Sequence, residues 1–280
     1  MIYSETGSSL HFVKTNPSGN TTILVLDPVR PEERSALAAR LMDKNSLFAE
    51  QVAFLDKHPP RFCDIGIAMM GGEFCGNAVR SAAAWLVFDR CRWQPSLQAG
   101  YMARFEVSCS GIDRNVLCQV HQKGRSLFDV SAELPLPRSL TEVEAGGYSL
   151  CRVELPGIDH YCLSGAGALS GGEKERLIQD VLSRYPVPDG GAAGVLFWDG
   201  THLDPFVYVK GTDTLVHESS CGSGTAAMTA CLAFRRKGAV HIDARQAGGM
   251  IYGEAEYKDG ISALRIGGLV EMTAEGIAYL

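Results

Sequence analysis

Glu73-Phe74-Cys75-Gly76-Asn77 and Glu218-Ser219-Ser220-Cys221-Gly222-Ser223-Gly224 set two cysteines in near-duplicate surroundings. Each motif opens a stretch of small apolar residues. Ala78, Val79, Ala82, Ala83, Ala84 and Leu86 follow the first, and Ala226, Ala227, Met228, Ala230, Leu232 and Ala233 follow the second. Both stretches suit a buried helix, so both thiols are expected at helix N-termini. The motifs stand about half the chain apart, which predicts two like domains facing each other across a cleft.

The segments between the motifs support a duplicated α/β (α+β) plan. Thr22 to Leu26 reads as a strand, and Pro31-Glu32-Glu33 opens a helix running through Leu37 and Leu41. Strand composition at Phe105–Ser108, Val116–Val120 and Phe128–Ala132 predicts antiparallel neighbours. After Leu134-Pro135-Leu136-Pro137 the pattern restarts, with a strand at Leu150–Leu155 and a helix from Ser170 to Tyr185 whose Ser170-Gly171-Gly172-Glu173 is a capping-box signal. Strands at Gly194–Trp198 and Phe206–Val209 precede the second cysteine helix. A hairpin turning at Lys258-Asp259-Gly260 follows it. The expected domains are residues 1–133, holding Cys75, and 134–280, holding Cys221, with the last strand returning to the first domain.

Composition narrows the partners. The 280 residues are 46% apolar and 21% charged, ordinary for a globular chain, with a net charge of −6 and no basic block longer than Arg235-Arg236-Lys237. Nucleic acid is therefore a poor partner. Met1 to Phe12 lack a leader pattern, and the longest apolar run, Ala82 to Phe88, is too short to span a bilayer. A cytoplasmic protein without membrane attachment is expected. The nine cysteines show no Cys-x-x-Cys spacing, which argues against a disulfide framework and against a metal site. Cys63, Cys91, Cys109, Cys118, Cys151, Cys162 and Cys231 read mostly as buried small hydrophobes.

The chemistry follows from placing a thiol at a helix N-terminus. Unpaired N–H groups and the positive end of the macrodipole are expected to lower the thiol's pKa and to cradle a carboxylate. Inverting an α-carbon requires removing a weakly acidic hydrogen from one face and returning one to the other, and a thiolate paired with a thiol suits that task. The substrate is expected to be a small amino acid. Its carboxylate would be held by the backbone of Gly76, Asn77, Gly222, Ser223 and Gly224 as charge flows onto it. No cofactor is required.

The two motifs resemble the signatures of the cofactor-independent diaminopimelate epimerase family, whose fold pairs two α/β domains, each a mixed or antiparallel sheet around a central helix. Asn16-Pro17-Ser18-Gly19-Asn20 is similar to the family's N-terminal segment, which implies that Asn20 binds substrate. Ala49-Glu50-Gln51 resembles its active-site loop, and Gly157-Ile158-Asp159-His160 its Gly-Asn-Pro-His segment. The resemblance implies catalytic roles for Cys75 and Cys221. It implies substrate binding by Asn20, Glu50, Gln51, Gly76, Asn77, His160, Glu218, Gly222, Ser223 and Gly224. Glu50 reads equally well as a solvated loop carboxylate, and His160 as a core histidine.

The departures point away from diaminopimelate. Ile158 replaces a substrate-touching asparagine, Thr212-Asp213 occupies the region of the family's Glu-Arg-Gly, and Ala68-Met69-Met70-Gly71-Gly72 lacks its asparagine. The motifs look most like those of the family's histidine racemases, which supply D-histidine to staphylopine-type metallophores. Glu50 would then complement an imidazole. The alternatives are a diaminopimelate epimerase, a hydroxyproline or proline-type epimerase, and a non-catalytic protein that binds a small carboxylate. The sequence leaves the oligomeric state open, a homodimer among the options.

Overall fold

The computed structural model describes residues 9–56, 58–93 and 100–280. The reading of Met1 to Phe12 as free of a leader pattern falls largely on residues 1–8, outside the described residues. The chain divides into two compact units: Met1–Ala132 with Gly268–Leu280, and Glu133–Gly267.

In the first unit the elements run β1 (Ser9–Pro17), β2 (Thr22–Val25), α1 (Pro31–Met42), β3 (Gln51–Asp56), β4 (Ile65–Met69), α2 (Gly76–Trp93), β5 (Met102–Cys109), β6 (Val116–Gln122) and β7 (Leu127–Glu133). The strands lie side by side in that order. β2 and β3 are parallel, which demands a crossover, and α1 supplies it. Pro31 starts α1, with Glu32 and Glu33 in the first turn and Arg40 in the last, as the macrodipole favours. The helix buries Ala38 and Leu41 in a cluster with Ile23, Val52 and Phe54. A second crossover, α2, joins the parallel pair β4 and β5. The antiparallel neighbours β5, β6 and β7 follow, as the strand composition predicts.

The second unit repeats this logic. It comprises β8 (Ser139–Ala145), β9 (Tyr148–Leu155), β10 (Ile158–Ser164), α3 (Gly171–Arg184), β11 (Ala192–Trp198), β12 (Leu203–Val209), β13 (Thr214–His217), α4 (Gly222–Arg236), β14 (Val240–Gln246), β15 (Gly249–Tyr257) and the first part of β16 (Ile261–Tyr279). β10 and β11 form the parallel pair. Their crossover is α3, which begins with the predicted capping box of Ser170 and Glu173. After α4 comes an antiparallel run, β14, β15 and β16. β16 pairs with β15 through its early residues and with β1 of the first unit's sheet from Val270 onward.

Both cysteine helices are enclosed by their own units. Ala78, Val79, Ala82, Ala83, Ala84 and Val87 of α2 are buried among Phe105, Val107, Val120, Phe128 and Val130. In α4, Ala226, Ala227, Met228, Ala230 and Ala233 are buried. The small side chains along the covered part of each helix let strands approach it closely. The approach is tightest at Gly253 of β15, where a Cβ would overlap the hydroxyl of Thr229. Cys109, Cys118, Cys151, Cys162 and Cys231 are buried, whereas Cys63 and Cys91 are only half-buried, a correction to the sequence reading. Cys63 lies in the loop before β4 and Cys91 near the end of α2, where packing is incomplete. Among the described residues no helix is long and apolar enough to cross a membrane.

Candidate active site

Cys75 immediately precedes α2, and its carbonyl accepts the Val79 N–H at 3.1 Å. The thiol is half-buried and donates to Gln51 Oε1 at 3.0 Å. Gln51 is the first residue of β3, so the crossover through α1 carries it to the start of α2. Its Nε2 donates to Asn20 Oδ1 at 2.6 Å and to Thr22 Oγ1 at 2.7 Å. Asn20 Nδ2 in turn donates to Glu50 Oε2 at 2.7 Å, and Asn77 Nδ2 donates to Asn20 Oδ1 at 3.2 Å. Five predicted site residues, Asn20, Glu50, Gln51, Cys75 and Asn77, are thereby brought into one hydrogen-bonded cluster, with Gly76 beside them in the chain.

Cys221 is the N-cap of α4, and its sulfur accepts the Gly224 N–H at 3.2 Å. This is the cap geometry that satisfies an orphan donor of the first turn, with sulfur in place of the usual oxygen. Ser223 Oγ lies 3.5 Å from the same sulfur and 3.1 Å from His160 Nε2. His160 is wholly buried in β10, and its Nδ1 has no hydrogen-bond partner among the described residues. That nitrogen faces Gly194 of β11, where a Cβ would overlap it, so glycine is what admits the ring. Burial pushes the imidazole down to about 3, and it is neutral at neutral pH. The structure thus places His160 behind Ser223. Glu218, Gly222, Ser223 and Gly224 all lie at the start of α4, as the motif implied.

The electrostatics correct one expectation. Burial pushes the Cys75 thiol above its ordinary value and outweighs the opposing N–H groups of Ala78 and Asn77, and the charge of Glu73 adds to the rise. Burial likewise pushes Cys221 well up. The Glu218 carboxylate reinforces that through its charge and a hydrogen bond, against Ser223 and the Gly224 N–H. Helix N-termini alone do not bring these thiols toward neutrality, because desolvating a thiolate costs more than the helix dipole returns.

Two contributors escaped the sequence reading. Arg80, fully buried in α2, donates through Nη2 to Asn77 Oδ1 at 3.0 Å. An arginine among alanines on a buried helix is the signal that could have found it. Gln246, at the end of β14, accepts the Cys221 N–H at 2.7 Å and donates to Thr225 Oγ1 at 3.0 Å, fastening the start of α4 from outside the helix. Gln246 also lines a cavity of about 300 Å³ in the second unit, together with Lys174, Phe197, Asp204, His202 and Arg245. Among the described residues no group of three or more His, Cys, Asp or Glu side chains is placed to hold a metal ion.

Comparison with known proteins bears on this arrangement. Residues 9–279 match the family model described as "Histidine racemase CntK N-terminal domain". A histidine racemase of Fusobacterium nucleatum subsp. nucleatum (strain ATCC 23726) is 31% identical over 276 residues, covering 97% of each chain. A histidine racemase of Staphylococcus aureus (strain Mu50) is 27% identical over 230 residues, covering 78% of each chain. Among solved structures, a hydroxyproline epimerase from Agrobacterium vitis with bound trans-4-hydroxy-L-proline aligns with a TM-score of 0.62 at 12% identity. That alignment covers 100% of this chain and 94% of the epimerase, a likeness of fold.

Proposed function

Because the chain belongs to the histidine racemase family, we propose that it interconverts L- and D-histidine by a cofactor-free, two-thiol mechanism. It is an isomerase of the amino-acid racemase and epimerase class; the substrate and the roles of the thiols are the further steps of the reading. In the reaction a thiolate takes the Cα hydrogen as a proton, and the C–H bond pair passes into the α-carboxylate. The other thiol then gives its proton to the opposite face, so proton count and charge are unchanged over the cycle. Backbone N–H groups at the starts of α2 and α4 would stabilise the charge gathering on the carboxylate.

The observation that carries the reading is that Cys75 and Cys221, one in each unit, both sit at the start of an enclosed helix amid their own polar cluster. Glu50 supports histidine as the substrate. Its carboxylate is oriented by Asn20 beside Cys75, and a carboxylate suits an imidazole N–H better than an aliphatic side chain. Product use in a metallophore pathway extends the reading through the motif resemblance.

The test is incubation of the protein with L-histidine in D2O, followed by mass spectrometry and chiral chromatography. Deuterated D-histidine is expected, and Cys75→Ser and Cys221→Ser are each expected to abolish racemisation, since a serine hydroxyl is too weak an acid to replace a thiol. Racemisation at the wild-type rate by either variant would remove that cysteine from the mechanism. Turnover of hydroxyproline or diaminopimelate with histidine untouched would overturn the substrate.

A further inference from the structure

The polar cluster beside Cys75 has a direction, and its ends fix it. A carboxylate can only accept hydrogen bonds and a guanidinium can only donate them. Glu50 therefore takes the N–H of Asn20, which turns Asn20 Oδ1 toward Gln51 and Asn77. From the other side Arg80 donates to Asn77 Oδ1, which turns Asn77 Nδ2 toward the same Asn20 oxygen. Thr22 makes a third, independent constraint. Its hydroxyl hydrogen goes to the Asn20 carbonyl at 3.1 Å, so its oxygen meets Gln51 only as an acceptor. Both hydrogens of Gln51 Nε2 are then used, and Oε1 is the atom left facing the sulfur at 3.0 Å. Reversing either amide would set oxygen against oxygen or N–H against N–H at several of these contacts.

An amide N–H facing the sulfur would favour a thiolate. Backbone N–H groups of Ala78 and Asn77 do face it and favour the thiolate, whereas the Gln51 side chain presents a carbonyl oxygen, which accepts from S–H and repels S⁻ as burial does. We propose that Asn20 and Gln51 are positioning residues forming an amide relay, anchored by Glu50 and Arg80, that holds Cys75 as the thiol, the proton donor of the resting enzyme. The proposal rests on Cys75 being one of the two acid-base groups above, and it adds the end of the cycle from which Cys75 starts. It gives Glu50 a second task besides meeting substrate. Among the described residues, the charged and titratable groups about this thiol are Glu73 just before it, Cys109 of β5, and Glu50 and Arg80 at the relay's ends. Cys109 is pushed up to about 12 by burial and stays neutral, and Glu73 opposes a thiolate as well.

The experiment follows Cys75 without substrate, so its outcome is independent of which amino acid is turned over. The rate of iodoacetamide labelling of the Cys75 peptide is measured by mass spectrometry across pH for wild type and Gln51→Ala. Removing the carbonyl and admitting water both favour the thiolate, so the labelling midpoint is expected to fall by about one pH unit or more. A midpoint that stays put or rises overturns the relay. The wild-type protein supplies a second measurement that requires no variant at the relay. The infrared difference between wild type and Cys75→Ser at neutral pH is expected to show an S–H stretch at the lowered frequency of a thiol bonded to a carbonyl. An S–H band at the frequency of an unbonded thiol, which a merely space-filling Gln51 would leave, or no S–H band at all, overturns the proposal.

Discussion

Acid should unfold this protein through His160. The ring is 0% exposed, its Nε2 meets Ser223, and among the described residues no charged group offsets the cost of burying a positive ring. Burial alone lowers its pKa from 6.5 to about 3. The sign follows from proton counting. Below pH 6.5 the unfolded chain takes up a proton that the folded chain refuses until about pH 3, so acid favours the unfolded state throughout that window. A difference of one proton costs about 1.4 kcal/mol per pH unit, and across the window the fold loses roughly 4–5 kcal/mol, a large share of the stability of an ordinary domain. Glu142 and Asp180, whose carboxyls are held below their usual range by Arg235 and by the Gly146 N–H respectively, also lose stability in acid. The informative quantity is therefore a difference between variants. His160→Gln keeps a polar atom toward Ser223 and carries no titrating group. Urea unfolding at half-unit steps from pH 7 to pH 4 should show a variant less stable at neutral pH, with a pH slope shallower than wild type by about 1.4 kcal/mol per unit. Parallel slopes would refute the buried neutral imidazole, whatever the variant's absolute stability.

Two further outcomes are expected. Gly194→Ala would drive a methyl into His160 Nδ1 and should cost on the order of 1–3 kcal/mol or more, read as a lower urea midpoint with an unchanged m-value. Glu50→Gln should raise the Michaelis constant for histidine by a factor corresponding to about 1–3 kcal/mol, and an unchanged constant would remove the carboxylate from substrate recognition.

The sequence made the fold legible because its signals were local and redundant. Pro31 with two glutamates, the Ser170–Glu173 capping box and the Lys258-Asp259-Gly260 turn each name a boundary that appears in the structure. The paired cysteine motifs likewise marked the starts of both enclosed helices. What escaped depends on contacts between residues distant in the chain. Nothing near Gln246 announces that it holds the N-cap residue of a helix, 25 residues earlier. Gly194 reads as an ordinary strand glycine until His160 lies across from it on the parallel neighbour. The thiol pKa expectation failed for a related reason. A motif reveals the helix dipole but not how thoroughly the rest of the chain strips water from the sulfur.

The duplication also hides a difference that bears on the chemistry. The mechanism proposed above needs one thiol and one thiolate at the start of each turnover, so two identical cysteine environments would leave the choice between them unmade. Here the repeat has diverged at the atoms next to sulfur. Cys75 donates to the amide oxygen of Gln51, which cannot take a proton at any pH the fold survives. Cys221 has the Glu218 carboxylate beside it, whose charge and hydrogen bond hold the proton on the sulfur, while Ser223 and the Gly224 N–H act the other way. The tautomer of His160 adds to this. With Nδ1 buried against Gly194 and unpartnered among the described residues, placing the ring hydrogen on Nε2 leaves a lone pair unsatisfied, a smaller loss than a buried N–H without an acceptor. Nε2–H then donates to Ser223, which frees the serine hydroxyl to donate toward Cys221. Both sulfurs thus meet backbone N–H donors, Ala78 and Asn77 at Cys75 and Gly224 at Cys221, and the divergence lies in the side chains: the Gln51 amide oxygen at the first, the Glu218 carboxylate and the Ser223 hydroxyl at the second.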